Sequence, residues 1–266
     1  MLAADSRVTL TGQKQTASQV LLLPATFDNA TKLLRASGHK YVGAVTYGQG
    51  AIGQREPRTA HSYMPEFENE LKGERLPVED FAKKLSAFFM KRWSSEMPKD
   101  YKGLDMVFLV GGYDDGAIYG RIFEVSVPSM LDPKEHNAGT FGVVWGGQQQ
   151  FTERLIHGFD KRVLAILQKS FNLSEDQMAG LDDKLKAELS LSIPYPFLPL
   201  QDCVDLAIFL IRTTMTIQTW LVDVRGVGGA IDVATITRTE GFKPIQQKII
   251  LGERPRLSDG SRWEAA

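Results

Sequence analysis

Four histidines, His39, His61, His136 and His157, are the side chains best suited to proton transfer or metal ligation near neutral pH. They are scattered singly, with no metal-ligand spacing between any two and no Gly-x-Ser-x-Gly elbow to make a hydrolase triad. The reading for each is a surface or hydrogen-bonded histidine. Gly226-Val227-Gly228-Gly229 with Asp232 invites a dinucleotide site, but that fingerprint needs strand, glycines, then helix, and here an apolar helical stretch precedes and a strand-like one follows. A helix cap and turn is the reading instead. Trp145-Gly146-Gly147-Gln148, ahead of a helical pattern, offers backbone N–H groups to an anion only as a weak motif. The carboxylate pairs Asp114-Asp115 and Asp182-Asp183 fall in a turn and a polar helix, where solvated charge is expected. The opening run Leu2-Ala3-Ala4-Asp5-Ser6-Arg7-Val8-Thr9, taken alone, is a strand that ends in a polar turn.

The elements that must position any such site are bounded by composition. A chain of 266 residues makes one large or two small domains with a full core. Apolar residues at 43% and charged residues at 24% exclude intrinsic disorder and fibrous repeats. Thirty-one basic against 32 acidic side chains leave a net charge of −1, with no Lys/Arg block dense enough for a run of phosphates, so no nucleic-acid partner is expected. The lone Cys203 closes no intrachain disulfide, and no charged leader with an apolar stretch opens the chain; both favour a cytoplasmic location. The most apolar window, Asp202 to Val224, is interrupted by Asp202, Asp205, Arg212 and Asp223, so no membrane partner is expected either.

Strand-like runs at Val8–Leu10, Val20–Leu23 and Tyr41–Thr46 come first. An irregular helix interrupted by Pro57 and Pro65 is predicted between Gly50 and Lys72. After Pro77, a clean apolar stripe runs through Val78, Phe81, Ala82, Leu85, Phe88, Phe89 and Trp93. A second strand block follows: Asp105–Val110, a break at Gly111-Gly112, and Ile118–Val127 beyond the turn at Asp114-Asp115-Gly116, with Gly139–Trp145 extending it. One helical block is expected over Gln148 to Ser170, then a polar stretch to Lys186, a proline-rich loop, a helix over Gln201 to Val222, and a strand at Ala230–Thr237. Residues 1–252 then form one domain and 253–266 a polar tail. The order of strands, two helices, strands, two helices and a strand lacks βαβ alternation. It predicts an α+β fold, a four-layer αββα sandwich of two antiparallel sheets flanked by helices.

The opening run, together with Asn29-Ala30-Thr31-Lys32-Leu33-Leu34, Tyr41-Val42-Gly43-Ala44-Val45-Thr46-Tyr47-Gly48 and Val110-Gly111-Gly112-Tyr113-Asp114, resembles the β-type subunits of the 20S proteasome and their bacterial relatives. The segment Asp223 to Val233 is similar to that family's closing loop and strand, and the likeness runs in order over nearly the whole chain. It implies an N-terminal nucleophile hydrolase, a threonine-type peptidase working in a ring on peptide or unfolded protein, with no metal or cofactor. The first residue of such a mature chain attacks the peptide carbonyl while its own α-amine, with a pKa of roughly 8, takes the proton. By position the supporting groups are Lys32, whose cation favours the ionised nucleophile, and Asp5, which fixes the lysine. Gly48 falls where the family uses a backbone N–H for the oxyanion and the substrate strand, and Asp223 where the closing-loop aspartate supports the N-terminal residue.

The chain also departs from that pattern. Met1 stands four residues before Asp5, so the strand carrying the nucleophile, roughly ten to twenty residues, is expected upstream of it. Gly146, and Gly226 or Val227, stand where the family has supporting serines, and the segments Asp5–Lys32 and Asn172–Pro199 are lengthened. Two readings follow: a peptidase subunit whose native chain begins upstream, or a non-catalytic structural or assembly subunit of a proteasome-like complex.

Overall fold

The computed structural model describes residues 1–15, 20–54, 56–71 and 75–250; the tail expected at 253–266 lies outside them. The fold is α+β, with antiparallel sheets and, among the described residues, six α-helices. A five-stranded sheet has the order β10-β9-β8-β5-β4, formed by Met130–His136, Arg121–Val127, Met106–Gly112, Val42–Gly48 and Leu33–Arg35. A three-stranded sheet has the order β1-β11-β12, formed by Leu2–Asp5, Ile231–Thr237 and Gly241–Gln246. Two hairpins complete the strands: β2 (Val8–Gln15) with β3 (Val20–Phe27), and β6 (Ala51–Ile52) with β7 (Arg58–Thr59). No helix among the described residues is long and apolar enough to cross a membrane.

Both faces of the large sheet are covered at β4, β5 and β8, because these strands alternate between two apolar sets. Ala44, Phe108, Val110, Phe123 and Val125 pack against α2 (Val78–Glu96), whose stripe buries Phe81, Leu85, Phe89 and Trp93. Leu33, Val45 and Leu109 point the other way, into a cluster with Leu2 and Ala4 of β1 and Ala234 and Ile236 of β11. The outward side of β11, Ile231 and Val233, is covered by Val204, Ile208, Ile211 and Met215 of α6 (Leu200–Gln218). Gly43 and Gly111 stand opposite each other in the β5–β8 register. A Cβ at Gly43 would sit 2.6 Å from the Phe242 ring, and one at Gly111 would sit 3.3 Å from Leu2 Cδ2. The paired glycines open the hollow that receives these side chains.

Several elements differ from the sequence reading. The glycines at 111 and 112 do not break the strand: all seven residues of β8 are buried, Gly111 leaves room for Leu2 of the facing sheet, and Gly112 leaves room for the Tyr41 carbonyl and Val42 beside it. The segment Gly50 to Glu70 forms the β6–β7 hairpin, a 3-10 turn and α1 (Met64–Glu70), with Pro65 in the first turn where its missing N–H costs nothing; Lys72 lies outside the described residues. Residues 139–145 form no strand, and Met130–His136 takes that place. The helical block after Gln148 is two helices, α3 (Gln149–His157) and α4 (Lys161–Phe171). Gly158, at φ 77°, ends the first, and the Asp160 carboxylate caps the second by accepting the Arg162 N–H at 2.9 Å. The polar stretch after it is α5 (Glu175–Leu189), opened by a Ser174/Gln177 capping box. Strand β12, with Pro244 and Lys243 in it, escapes the sequence reading because an edge strand needs no apolar run. Asp114 is not a merely solvated turn carboxylate: it accepts the Val78 N–H at 2.7 Å, capping α2 from across the sheet, and binds Arg121 at 3.1 Å.

His39 also departs from expectation. It is 4% exposed, lies 5.9 Å from the Phe81 ring, and neither ring nitrogen has a hydrogen-bond partner. Burial pulls its pKa below the ordinary 6.5. The folded state therefore favours neutral His39: this stability is complete above the unfolded pKa and is lost as pH falls below it. Denaturant midpoints compared at pH 7.5 and pH 5 should show wild type losing more stability on acidification than His39→Phe. Equal losses in both proteins would show that His39 is solvated.

Candidate active site

Strand β1 ends at Asp5, where the chain turns into β2, and this turn is held on both sides. The buried Ser6 donates its N–H to Gly228 O at 3.0 Å, and its carbonyl accepts the Ala30 N–H at 2.9 Å. Asp5 is thereby aimed between the end of β4 and the loop before β11. Its Oδ1 accepts Lys32 Nζ at 2.6 Å, and its Oδ2 accepts the backbone N–H groups of Arg7 at 3.0 Å and Gly228 at 2.9 Å. The two side chains are only 15% (Lys32) and 12% (Asp5) exposed. Lys32 is fixed from behind as well. Its carbonyl accepts the Thr46 N–H of β5 at 3.0 Å, and the next two residues, Leu33 and Leu34, are buried on opposite faces of β4.

A second ion pair walls the same turn. Arg7 grips Asp28 through two hydrogen bonds, Nε at 2.6 Å and a terminal nitrogen at 2.7 Å, and its other terminal nitrogen reaches Arg225 O at 3.3 Å. The hydrogen bond from Arg7 holds the Asp28 carboxyl below its ordinary pKa, and Asp28 in return raises that of Arg7. Beneath the turn, Lys248 forms an ion pair with Asp232, which is 3% exposed, and lies 3.4 Å from Ser6 Oγ. Beside these groups opens a cleft of about 610 Å³ bordered by Val8, Phe27, Asp28, Ala30, Ala51 and Thr59.

Of the residues singled out in the sequence, the structure brings Asp5 and Lys32 into contact. Gly48 lies at the end of β5, two residues or roughly 7 Å of strand beyond Thr46. Its φ of 81° and the nearby Asp105 carbonyl leave no room for a side chain. Asp223 is not brought in: it is exposed, and its carboxylate accepts the N–H of its neighbour Val224 at 2.6 Å. The contacts of that loop with the site are made by Gly228 and Arg225 instead. Sequence reasoning missed Gly228, Arg7 and Asp28. The available signal was the alternation of acid, hydroxyl and base in Asp5-Ser6-Arg7, which suits a turn whose charges are answered from elsewhere. The histidines stand apart from the site; His136 binds Glu124 at 3.0 Å and His157 binds Ser190 at 2.9 Å.

Chemically, the site presents a stationary ammonium. Of the three N–H bonds of Lys32, one is committed to Asp5 among the described residues, which leaves two for an incoming hydroxyl or anion. No serine, threonine or cysteine side chain is hydrogen-bonded to it among the described residues; Ser6 is fully buried and faces Lys248. The Met1 amine is at the far end of β1, roughly 13 Å of strand from Asp5. No group of three or more His, Cys, Asp or Glu able to hold a metal occurs among the described residues. No protein-family model matches the chain, and no curated protein matches it.

Lys32→Met leaves a largely buried carboxylate without its counter-ion and should cost about 3 kcal/mol in denaturant unfolding. Asp5→Asn added to Lys32→Met should recover part of that loss, giving a coupling energy on the order of 1–3 kcal/mol. Additive effects of the two substitutions would show that the contact does not couple them.

Proposed function

We propose that this chain is a proteasome-like subunit of the N-terminal nucleophile type, which hydrolyses peptide bonds as part of a ring in the cytoplasm. The observation that carries this reading is the 2.6 Å contact between Lys32 and Asp5, held by the Gly228 and Arg7 amides. We read α2, the five-stranded sheet, the three-stranded sheet and α6 as the successive layers of the αββα sandwich. The order of the resembling segments along the chain supports that reading.

In this mechanism a hydroxyl or thiol enters beside Lys32 on a strand paired to the outer edge of β1, which has β11 on its other side. Lys32 stabilises the developing alkoxide or thiolate, and an α-amine accepts its proton. Asp5 keeps the ammonium from turning away. The Gly48 region of β5 supplies main-chain hydrogen bonds to the extended substrate, and the cleft, with Val8, Ala30 and Ala51 in its wall, takes a substrate side chain. A second reading, a structural or assembly subunit without hydrolysis, is favoured by one observation: among the described residues no hydroxyl or thiol is hydrogen-bonded to Lys32.

The two readings separate in a longer form of the protein, extended upstream in frame to a Thr, Ser or Cys exposed by processing. In that form, hydrolysis of a fluorogenic peptide should fall on the order of a thousandfold in Lys32→Ala, with the mass of the assembly unchanged. Undiminished turnover in the variant rejects the role of Lys32. A stop codon immediately upstream of Met1 selects the assembly reading.

A further inference from the structure

The chain leaves β5 at Gly48 and enters the β6–β7 hairpin at Ala51, and Gln49 and Gly50 between them belong to neither strand. A link this short, with glycine on both sides of Gln49, has many conformations open to it unless something outside fixes it. Here it is fastened to the irregular connection between α2 and β8, from Met97 to Asp105. The Gln49 N–H donates to Asp105 O at 2.8 Å, and the Tyr101 hydroxyl donates to Gln49 Oε1 at 2.7 Å. Beyond β6, the Gly53 N–H donates to Met97 Sδ at 3.4 Å. The Gln49 side chain also turns back onto its own segment, where Nε2 donates to Ala51 O at 2.9 Å. That carbonyl can only accept, so the amide nitrogen must face it and the amide oxygen must face Tyr101.

The connection is a firm reference for the link. Met97 and Tyr101 pack against the core that α2 forms with the large sheet, and the Tyr101 ring meets the buried Trp93 edge-on at 5.3 Å. Burial raises the Tyr101 pKa above its ordinary 10, so the phenol keeps its proton near neutral pH and remains a donor. At the other end of the network, Ala51 is 8% exposed and stands in the wall of the cleft. One hydroxyl anchored in the core therefore determines, through a single amide side chain, where the chain runs between Gly48 and the cleft wall.

We propose that Tyr101 is a positioning residue: through Gln49 it fixes the stretch Gly48–Ala51, which receives the extended substrate and walls the cleft. The inference rests on the peptidase reading for its substrate, and on the hydrogen bonds alone for the fastening. Its effect falls on substrate binding and not on bond breaking. Lys32 is held by Asp5 and by the Thr46 N–H, and neither of these is bonded to Tyr101 or Gln49.

Two measurements test the fastening and the role separately. In the full chain, hydrogen exchange over residues 48–53, read by mass spectrometry, should quicken on the order of tenfold in Tyr101→Phe, with exchange across α2 unchanged. That variant keeps the ring against Trp93 and loses only the hydroxyl. In the form extended upstream, Tyr101→Phe should raise KM for the fluorogenic peptide on the order of fivefold and leave kcat within about twofold. Adding Tyr101→Phe to Gln49→Leu should raise KM no further than Gln49→Leu does alone, because the hydroxyl acts through that amide. Unchanged exchange over 48–53 overturns the fastening, whether or not the protein hydrolyses anything. Faster exchange with an unmoved KM, a loss confined to kcat, or additive effects of the two substitutions each overturn the positioning role. An extended wild type without turnover overturns the peptidase reading and the substrate role with it, and exchange then decides the fastening alone.

Discussion

The Asp5 carboxylate is the point at which the three-stranded sheet, the five-stranded sheet and the loop before β11 are tied together. Its two oxygens receive three donors, one from each neighbouring part of the chain: Lys32 ahead of β4, Arg7 entering β2, and Gly228 ahead of β11. A side chain 12% exposed could not remain there ionised without such partners, since an uncompensated buried charge costs several kcal/mol. The packing that brings the donors within reach is apolar. Leu2 and Ala4 of β1 lie in the same cluster as Leu33, beside Lys32, and as Ala234 of β11. The hydrophobic contact sets the distance, and the carboxylate converts that distance into a defined geometry.

The two sheets approach so closely because of what is missing between them. Gly43 and Gly111 lie opposite each other on the central strands, and the side chains of Leu2 and Phe242 occupy the space above them. A larger residue at either position would lift β1 or β12 from the large sheet, and β1 carries Asp5. Residues with no chemistry of their own thus decide whether the ion pair can form. Lys248 acts in the same way from below, since its ion pair with Asp232 and its approach to Ser6 tie the segment after β12 to the turn that follows Asp5.

Much of this is legible in the sequence. The stripe of α2, the apolar stretch of α6 and the strand at Ile231–Thr237 follow from periodicity, while the pairing of Asp5 with Lys32 is implied by the family resemblance and not by the residues themselves. The remainder is hidden for physical reasons. Gly111 and Gly112 look like a break in one dimension, and only their neighbours in space, Leu2 of the facing sheet and the Tyr41–Val42 backbone, show why a strand omits side chains there. Asp114 looks solvated until α2 is placed against it, because a cap supplied from another element leaves no local pattern. Asp223 draws attention in the loop before β11 because it carries a charge, yet backbone groups of Gly228 and Arg225 make the contacts, and a backbone donor has no residue-type signature. His39 reads as satisfied because most histidines are, and nothing in its sequence neighbours shows that Phe81 closes over it.

The charges around the Asp5 turn cancel pairwise: Lys32 with Asp5, Arg7 with Asp28, and Lys248 with Asp232. The site therefore has little net field at a distance, and long-range attraction of a charged ligand is not what distinguishes it. What separates the three cations is how their donors are used. Arg7 spends its fork on Asp28 and Arg225, and Lys248 is turned inward to Asp232 and buried Ser6, so neither is set up to act on an arriving group. Lys32 alone of the three stands at the end of an open-edged strand with one described partner and two further N–H bonds. Its value lies in directed hydrogen bonds from a cation that cannot move away, since Asp5 and the paired backbone of Thr46 hold it at both ends. A group placed beside it meets a donor whose orientation was settled when the sheets came together, and such a donor stabilises developing charge without first having to reorganise.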